Sequence, residues 1–395
     1  MIHQLKYYQQ KIIDDGQIDS DFLLLSAWDD EFIFSGTADL EKLSTSILQQ
    51  LGSTSVFIGR PKHPFVELLL ASIPLPETIA VPLDTETRTF LHDIPLIRKE
   101  ELTLRDAAAV IDKLSHRKGV IVEGVGLIAV GALTIEQGYV NFCSLLHATT
   151  VKVLLDLLRE PLPPPGFLSG FESLWMQLRT PLPIDTLGLD PFDSRSSAEI
   201  LSAMDSAGCR TVSLGLVDSF FGNISVAVKN AIYISQTGAS LDRLPGCVDL
   251  VLDDDSSCIG LTASSELAAH RAIFAATSAG TILHGHPKFS VILSLLCEEE
   301  CKDSDCWKNC AKVRELNGIP VVAGEVGAGG LARNLPPVID RCQMALVYGH
   351  GVFAVGPHDF SIPLSAMLDF ENWCRQQYLL RLQIRINNEV PGHGQ

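Results

Sequence analysis

At 395 residues the chain is too long for one ordinary domain and suits two of about 150 to 200 residues each. Its composition, 46% hydrophobic and 19% charged, is that of a globular protein and excludes a disordered chain. A formal net charge of −17 repels phosphate backbones and anionic lipid, which argues against nucleic acid or a membrane as the main partner.

Taken in chain order, the N-terminus (Met1-Ile2-His3-Gln4-Leu5-Lys6) lacks the apolar core of a signal peptide. Glu123 interrupts the best apolar stretch before it reaches the roughly eighteen residues of a spanning helix. Ten cysteines without a secretory signal point to thiols or metal ligands in a reducing, cytoplasmic compartment. Arg159 to Gly170 reads REPLPPPGFLSG, and a second Pro/Gly/Asp/Ser-rich stretch covers Thr180 to Ser197. Clustered prolines cannot continue a helix or a central strand, so a first domain over 1–160, a linker over 161–197 and a second domain over 198–395 are expected. Apolar spacing then predicts helices over Ala198–Ala207 and Ser264–Ser278. Strands are predicted over Ala231–Ser235, Val248–Leu252, Thr281–His286 and Met344–Tyr348. A long closing helix is predicted over Leu364–Leu382, with Pro363 at its start. Alternation of helix and strand argues for an α/β layered domain.

The two halves share patterns in the same order. Val122-Glu-Gly-Val-Gly-Leu-Ile-Ala-Val-Gly131 matches Val347-Tyr-Gly-His-Gly-Val-Phe-Ala-Val-Gly356, and Val110-Ile-Asp-Lys113 matches Val338-Ile-Asp-Arg341. Ile58-Gly-Arg-Pro-Lys-His-Pro-Phe65 lies opposite Ile282-Leu-His-Gly-His-Pro-Lys-Phe289. The pattern reads as a tandem duplication of one α/β unit. In that alignment Arg60, Lys62 and Val125 stand where the second half has His284, His286 and His350, so the first copy is expected to keep the fold and lack the site.

His284 and His286 follow an apolar run at i and i+2, which on a strand puts both imidazoles on one face. His350 follows another apolar run between Gly349 and Gly351, where the backbone can turn sharply. Three histidines with a fourth position open suit a catalytic divalent metal, zinc above all. A lone His-x-His is also common as surface decoration; the third histidine and the motifs below decide for the metal.

Five blocks occur in order: Gly222-Asn-Ile-Ser225, Thr237-Gly238, Ser264-Ser265-Glu266 with His270 one turn on, His284-Gly-His286, and Gly349-His350-Gly351. In this the second half resembles the class II aldolase/adducin family, typified by fuculose-phosphate and ribulose-phosphate aldolases, over about residues 198–382. The resemblance implies a three-layer αβα fold, with a degenerate copy in the first half. It also implies that His284, His286 and His350 bind Zn2+ or another divalent ion, and that Glu266 is the acid/base at the metal-bound substrate. Asn223, Thr237, Gly238, Ser264 and Ser265 are implied to cradle a substrate phosphate. The implied activity is a metal-dependent lyase that cleaves or forms a carbon–carbon bond in a small sugar-like carbonyl compound through an enediolate. Epimerases and dehydratases of the superfamily share that logic, and adducin shares the fold without enzymatic activity. Family members form homo-oligomers with active sites between subunits, and Tyr348 and Tyr378 are candidates for the tyrosines that complete them. Two departures stand out: no Arg or Lys closely follows Asn223, and Gln236 replaces the usual proline before Thr-Gly.

Cys297, Cys301, Cys306 and Cys310 form two i, i+4 pairs within fourteen residues. On a helix each pair shares a face, so the four could hold a second zinc or an iron–sulfur cluster, or serve as redox-active thiols. A thiol or metal sensor is therefore the third functional reading. In the glycine-rich stretch Gly318–Gly330, Glu325 is a candidate for reaching the substrate.

Overall fold

The structure, a computed structural model, describes residues 1–99, 107–163, 172–183, 188–218, 220–254, 256, 262–297, 306–324 and 329–389. It divides into two compact units, Met1–Gln177 with Arg381–Gln395, and Leu178–Leu380. The break thus falls between Gln177 and Leu178 rather than across 161–197. Part of the stretch read as linker is helical, Glu172–Arg179, and the end of the closing helix Ser361–Glu389 groups with the first unit.

Among the described residues the first unit is built on seven strands: β1 (Ile18–Trp28), β2 (Phe32–Gly36), β3 (Ser55–Pro61), β4 (Ile79–Ala80), β5 (Ile94–Ile97), β6 (Gly119–Val122) and β7 (Gly126–Gly131). Their order is β2-β1-β3-β7-β6-β5-β4, antiparallel throughout except for the parallel pair β5–β6. Near-continuous apolar runs such as Val56-Phe57-Ile58 fit strands covered on both faces. On one face Val56 and Ile58 join Ile47, Leu48, Val110 and Leu114 from helices Glu41–Leu51 and Ala108–Leu114. On the other, Phe57 meets Phe142 of helix Ile135–Arg159 with ring centroids 6.2 Å apart. That helix is long and apolar enough to cross a membrane by length and composition, and 83% of its apolar window is buried inside the protein. It is a core helix the apolar-run count did not single out.

Among the described residues the second unit has eight strands: β8 (Asn223–Val228), β9 (Ala231–Ser235), β10 (Val248–Leu252), β11 (Thr281–Gly285), β12 (Arg314–Leu316), β13 (Ile319–Val322), β14 (Met344–Val347) and β15 (Gly351–Gly356). Their order is β10-β9-β8-β11-β15-β14-β13-β12, with β13–β14 the one parallel pair. Helix Leu267–Ala276 buries Ala269 and Ile273 against Ile282, Val347, Phe353 and Val355. From the opposite side Met367 of the closing helix approaches Gly285 so closely that a Cβ there would lie 3.0 Å from its Sδ.

Apart from β10, the two sheets have the same strand order and the same pattern of parallel and antiparallel pairs. Their registers can be laid side by side. Ser55 pairs with Gly131, and Thr281 pairs with Gly356. Counting along from those pairs, Ile58 corresponds to His284 and Arg60 to His286. The β6–β7 and β14–β15 turns, Val122 to Gly126 and Val347 to Gly351, equate Val125 with His350. The alignment of Arg60 and Lys62 with the two histidines is therefore shifted by two residues. Its source is visible: Pro61 is followed by Lys62-His63-Pro64 before Phe65, whereas Pro287 is followed by Lys288 alone before Phe289.

Candidate metal centre

His284 lies on β11 and His286 just beyond its end, so the strand's period of two sends both rings to the side of Ile282. His350 sits in the tight turn between β14 and β15. Gly349 there has φ 60°, and a Cβ on Gly351 would lie 2.4 Å from the Gly285 carbonyl oxygen and 2.8 Å from His286 Cδ2. Only glycine at this position lets the hairpin press His350 against the other two rings.

The three histidines are 1%, 4% and 2% exposed, and one ligand nitrogen from each lies within 4.8 Å of the others. Nε2 of His284 and Nε2 of His286 are 2.9 Å apart. His284 Nδ1 is 2.9 Å from the Val352 carbonyl, which accepts its proton and leaves the Nε2 lone pair facing the cluster. Burial pulls the His284 pKa down to about 4, so the ring is neutral near pH 7, the form a metal requires. Aromatic faces fix the rings: Phe353 stacks on His284 at 3.9 Å between centroids, and Phe221 lies parallel to His286 at 5.8 Å. The donor set, its burial and its tautomer all fit a divalent ion of the zinc type. Among the described residues this is the one group of three or more His, Cys, Asp or Glu whose ligand atoms converge.

Glu266, the residue before helix Leu267–Ala276, brings its carboxylate to the same point. Oε1 is 3.0 Å from His350 Nε2, and Oε2 is 3.4 Å from His284 Nε2. Burial pushes this carboxyl up, but His284, His350 and the Asn223 amide outweigh burial and hold it below the ordinary carboxylate range. Asn223, directly across from His284 in the β8–β11 register, donates Nδ2–H to Glu266 Oε2 at 2.7 Å. Its Oδ1 lies 2.5 Å from His270 Nε2, and His270 Nδ1 lies 2.7 Å from Ser225 Oγ. Burial takes His270 down to about 3. A neutral His270 with its proton on Nε2 satisfies the whole chain: Ser225 donates to His270, His270 to Asn223, and Asn223 to Glu266.

The remaining cradle residues meet nearby. Thr237 and Gly238, both exposed, follow β9, and Ser264-Ser265 precede Glu266. Thr237 N–H donates to Thr262 O at 2.9 Å, Ser264 N–H to Ser235 O at 3.0 Å, and Thr237 Oγ1–H to Ala263 O at 2.9 Å. Ser264 Oγ accepts a 3.3 Å bond from Glu266 N–H, and Ser265 is exposed. Thr237, Gly238, Ser264 and Ser265 therefore sit together, while both ends of the Asn223 amide are committed to Glu266 and His270. The sequence offered Asn223 as a phosphate contact; the structure shows it turned toward the carboxylate. Tyr378 is fully buried in the second unit, which removes it as a residue reaching into another subunit, and Tyr348 is half-buried with the Arg314 guanidinium 5.1 Å from its ring centre. Cys297 and Cys310 are partly buried free thiols. Cys301, the side chain of Cys306, and Glu325 lie outside the described residues. Phe221 and Phe353 were not anticipated. Phe353 had a signal: it lies two residues past Gly351 on a strand, on the face of its partner His284.

The family model for the class II aldolase and adducin N-terminal domain matches residues 203–378. The second half is similar to the class II aldolases and adducins. No curated protein matches the chain. Among solved structures, an L-fuculose-1-phosphate aldolase from Thermus thermophilus is 24% identical over 49% of this chain and 98% of its own, with a TM-score of 0.39. A sugar-phosphate aldolase from Thermotoga maritima is 15% identical over 47% and 96%, with a TM-score of 0.35. An L-fuculose 1-phosphate aldolase from Glaciozyma antarctica is 11% identical over 52% and 98%, with a TM-score of 0.32.

Proposed function

We propose that the second unit is a divalent-metal-dependent lyase that breaks or forms a carbon–carbon bond in a small, phosphorylated sugar-like carbonyl compound. The observation that carries the reading is the convergence of His284, His286 and His350 on the Glu266 carboxylate in a buried site. The three histidines would hold zinc, which polarises a carbonyl and its neighbouring hydroxyl when bound. Glu266, kept ionised by its surroundings, takes a proton from the substrate and returns it. The Asn223–His270–Ser225 chain holds Glu266 Oε2, which leaves Oε1 directed at the cluster. Ser264 and Ser265 supply hydroxyls just ahead of a helix start, where an anion is favoured, and with Thr237 and Gly238 beside them would take the phosphate.

The first unit is in this reading a duplicated, degenerate copy without metal ligands, and the working protein is a cytoplasmic homo-oligomer. Supporting the duplication are the shared strand order and the replacement of the site by Leu24, Leu40, Ile58 and Val125, all packed in one hydrophobic cluster. The test is metal content of wild type and His350→Ala, purified without added metal or chelator, followed by release of aldehyde from sugar phosphates. About one zinc per chain, lost in the variant, supports the reading. An ion that survives His350→Ala marks the cysteine segment as a second site. No metal even after adding zinc, manganese or cobalt would sink the enzyme and leave an adducin-like scaffold.

A further inference from the structure

The second sheet carries one strand beyond the shared pattern, β10, at the edge outside β9. Asp249 on this strand is 5% exposed and stands opposite Ile234. Gln236 donates Nε2–H to Asp249 Oδ1 at 2.7 Å, and Thr262 Oγ1–H donates to Oδ2. Gln236 immediately precedes Thr237, and Thr262 comes two residues before Ser264. One carboxylate thus holds, by separate oxygens, both segments that carry the cradle residues.

We propose that Asp249 is a positioning residue for anion binding, fixing the separation of Thr237-Gly238 from Ser264-Ser265; this rests on the reading of those four residues as the phosphate cradle. A buried carboxylate is costly unless hydrogen-bonded, and bonds to a charged acceptor are the stronger kind. The two side-chain bonds therefore lock Gln236 and Thr262 onto β10, adding to the main-chain bonds that join the segments directly. The first unit supports the assignment by contrast. Its sheet ends at β2, and the two residues before Leu40, the counterpart of Glu266 ahead of helix Glu41–Leu51, are Ala38-Asp39, which lack the hydroxyls of Ser264-Ser265, although Thr37 stands at the place of Thr237. The strut exists only in the unit that carries the serine pair.

The test uses the full, zinc-loaded chain with inorganic phosphate as the probe, its affinity read from the phosphate-dependent rise in Tm. Asp249→Ala is expected to weaken phosphate about tenfold, and Gln236→Leu and Thr262→Val about threefold each, with zinc content unchanged. The Asp249→Ala/Gln236→Leu double variant is expected to be no worse than Asp249→Ala, because both remove the same contact. Gln236→Leu and Thr262→Val leave the strand's own residue in place, so they report even if Asp249→Ala does not fold. Unchanged phosphate affinity in these two variants, or zinc lost in parallel with phosphate, would overturn the role. A wild-type chain that binds zinc but does not respond to phosphate removes the cradle, and the strut with it, while leaving the metal reading intact.

Discussion

At corresponding places in two sheets of the same order, the first unit packs Leu24, Leu40, Ile58 and Val125 into or against its hydrophobic core, and the second sets Asn223, Glu266, His284 and His350. Leu24 pairs with Ile58 across β1–β3 just as Asn223 pairs with His284 across β8–β11. The hydroxyls of Ser26 and Ser44 bond to each other where the second unit has Ser225 and His270, a polar pair inside an otherwise apolar setting. Arg60, at the place of His286, lies over the Phe22 ring at 3.6 Å and donates to the Gly124 carbonyl. The difference shows what a site demands of a fold. Apolar residues stabilise that location simply by leaving water, whereas the polar set must satisfy every buried donor and acceptor through one closed network.

That contrast can be broken by writing one unit's residues into the other. The largest effect is expected from Leu40→Glu, which copies Glu266 into a place with no histidine or amide to receive it. Burial of an unpaired carboxylate should cost at least about 3 kcal/mol in urea unfolding and add no bound metal. Next come matched truncations. Ile58→Ala should lower stability by about 2–4 kcal/mol and leave metal content unchanged, whereas His284→Ala should abolish metal binding. Acid should separate the units more gently. His284 and His270 titrate at about 4 and 3 when folded and near 6.5 when unfolded, so below pH 6.5 the unfolded chain takes protons that the native one refuses. The stability of the metal-free protein should therefore be full above pH 6.5 and fall toward pH 4, by on the order of 1 kcal/mol per pH unit for each ring; calorimetry at pH 7 and pH 5 measures it. Finally, His270→Ala should weaken zinc about tenfold by loosening Asn223 and Glu266, while Ser44→Ala, its counterpart, should leave zinc affinity unchanged.

Much of this was legible in the chain itself. Strands Ala231–Ser235 and Val248–Leu252 fall where alternation placed them, because each is a short apolar run bounded by turn residues. The histidine pair was readable from its period of two, and the third from its glycines. What escaped were relations set by partners far along the chain. The two-residue slip that set Arg60 against His284 instead of His286 arises in a loop, where length is free to vary, and only the register with β7 and β15 corrects it. The direction of the Asn223 amide depends on Glu266 and His270, more than forty residues away, and nothing local encodes it. Asp249 looked like one more acidic residue among the 47 Asp and Glu, although its burial makes it a different object.

The near-complete burial of the triad has a kinetic consequence. The three rings are no more than 4% exposed, and backbone and ring atoms press close against Gly351, so the ligand nitrogens themselves touch little water. An ion that reached them only through brief local openings of the β14–β15 hairpin would exchange at a rate set by the free energy of that opening rather than by the strength of the nitrogen–metal bonds. A chelator should then strip the protein at a rate independent of chelator concentration, the behaviour of a gated vessel rather than of a surface clip.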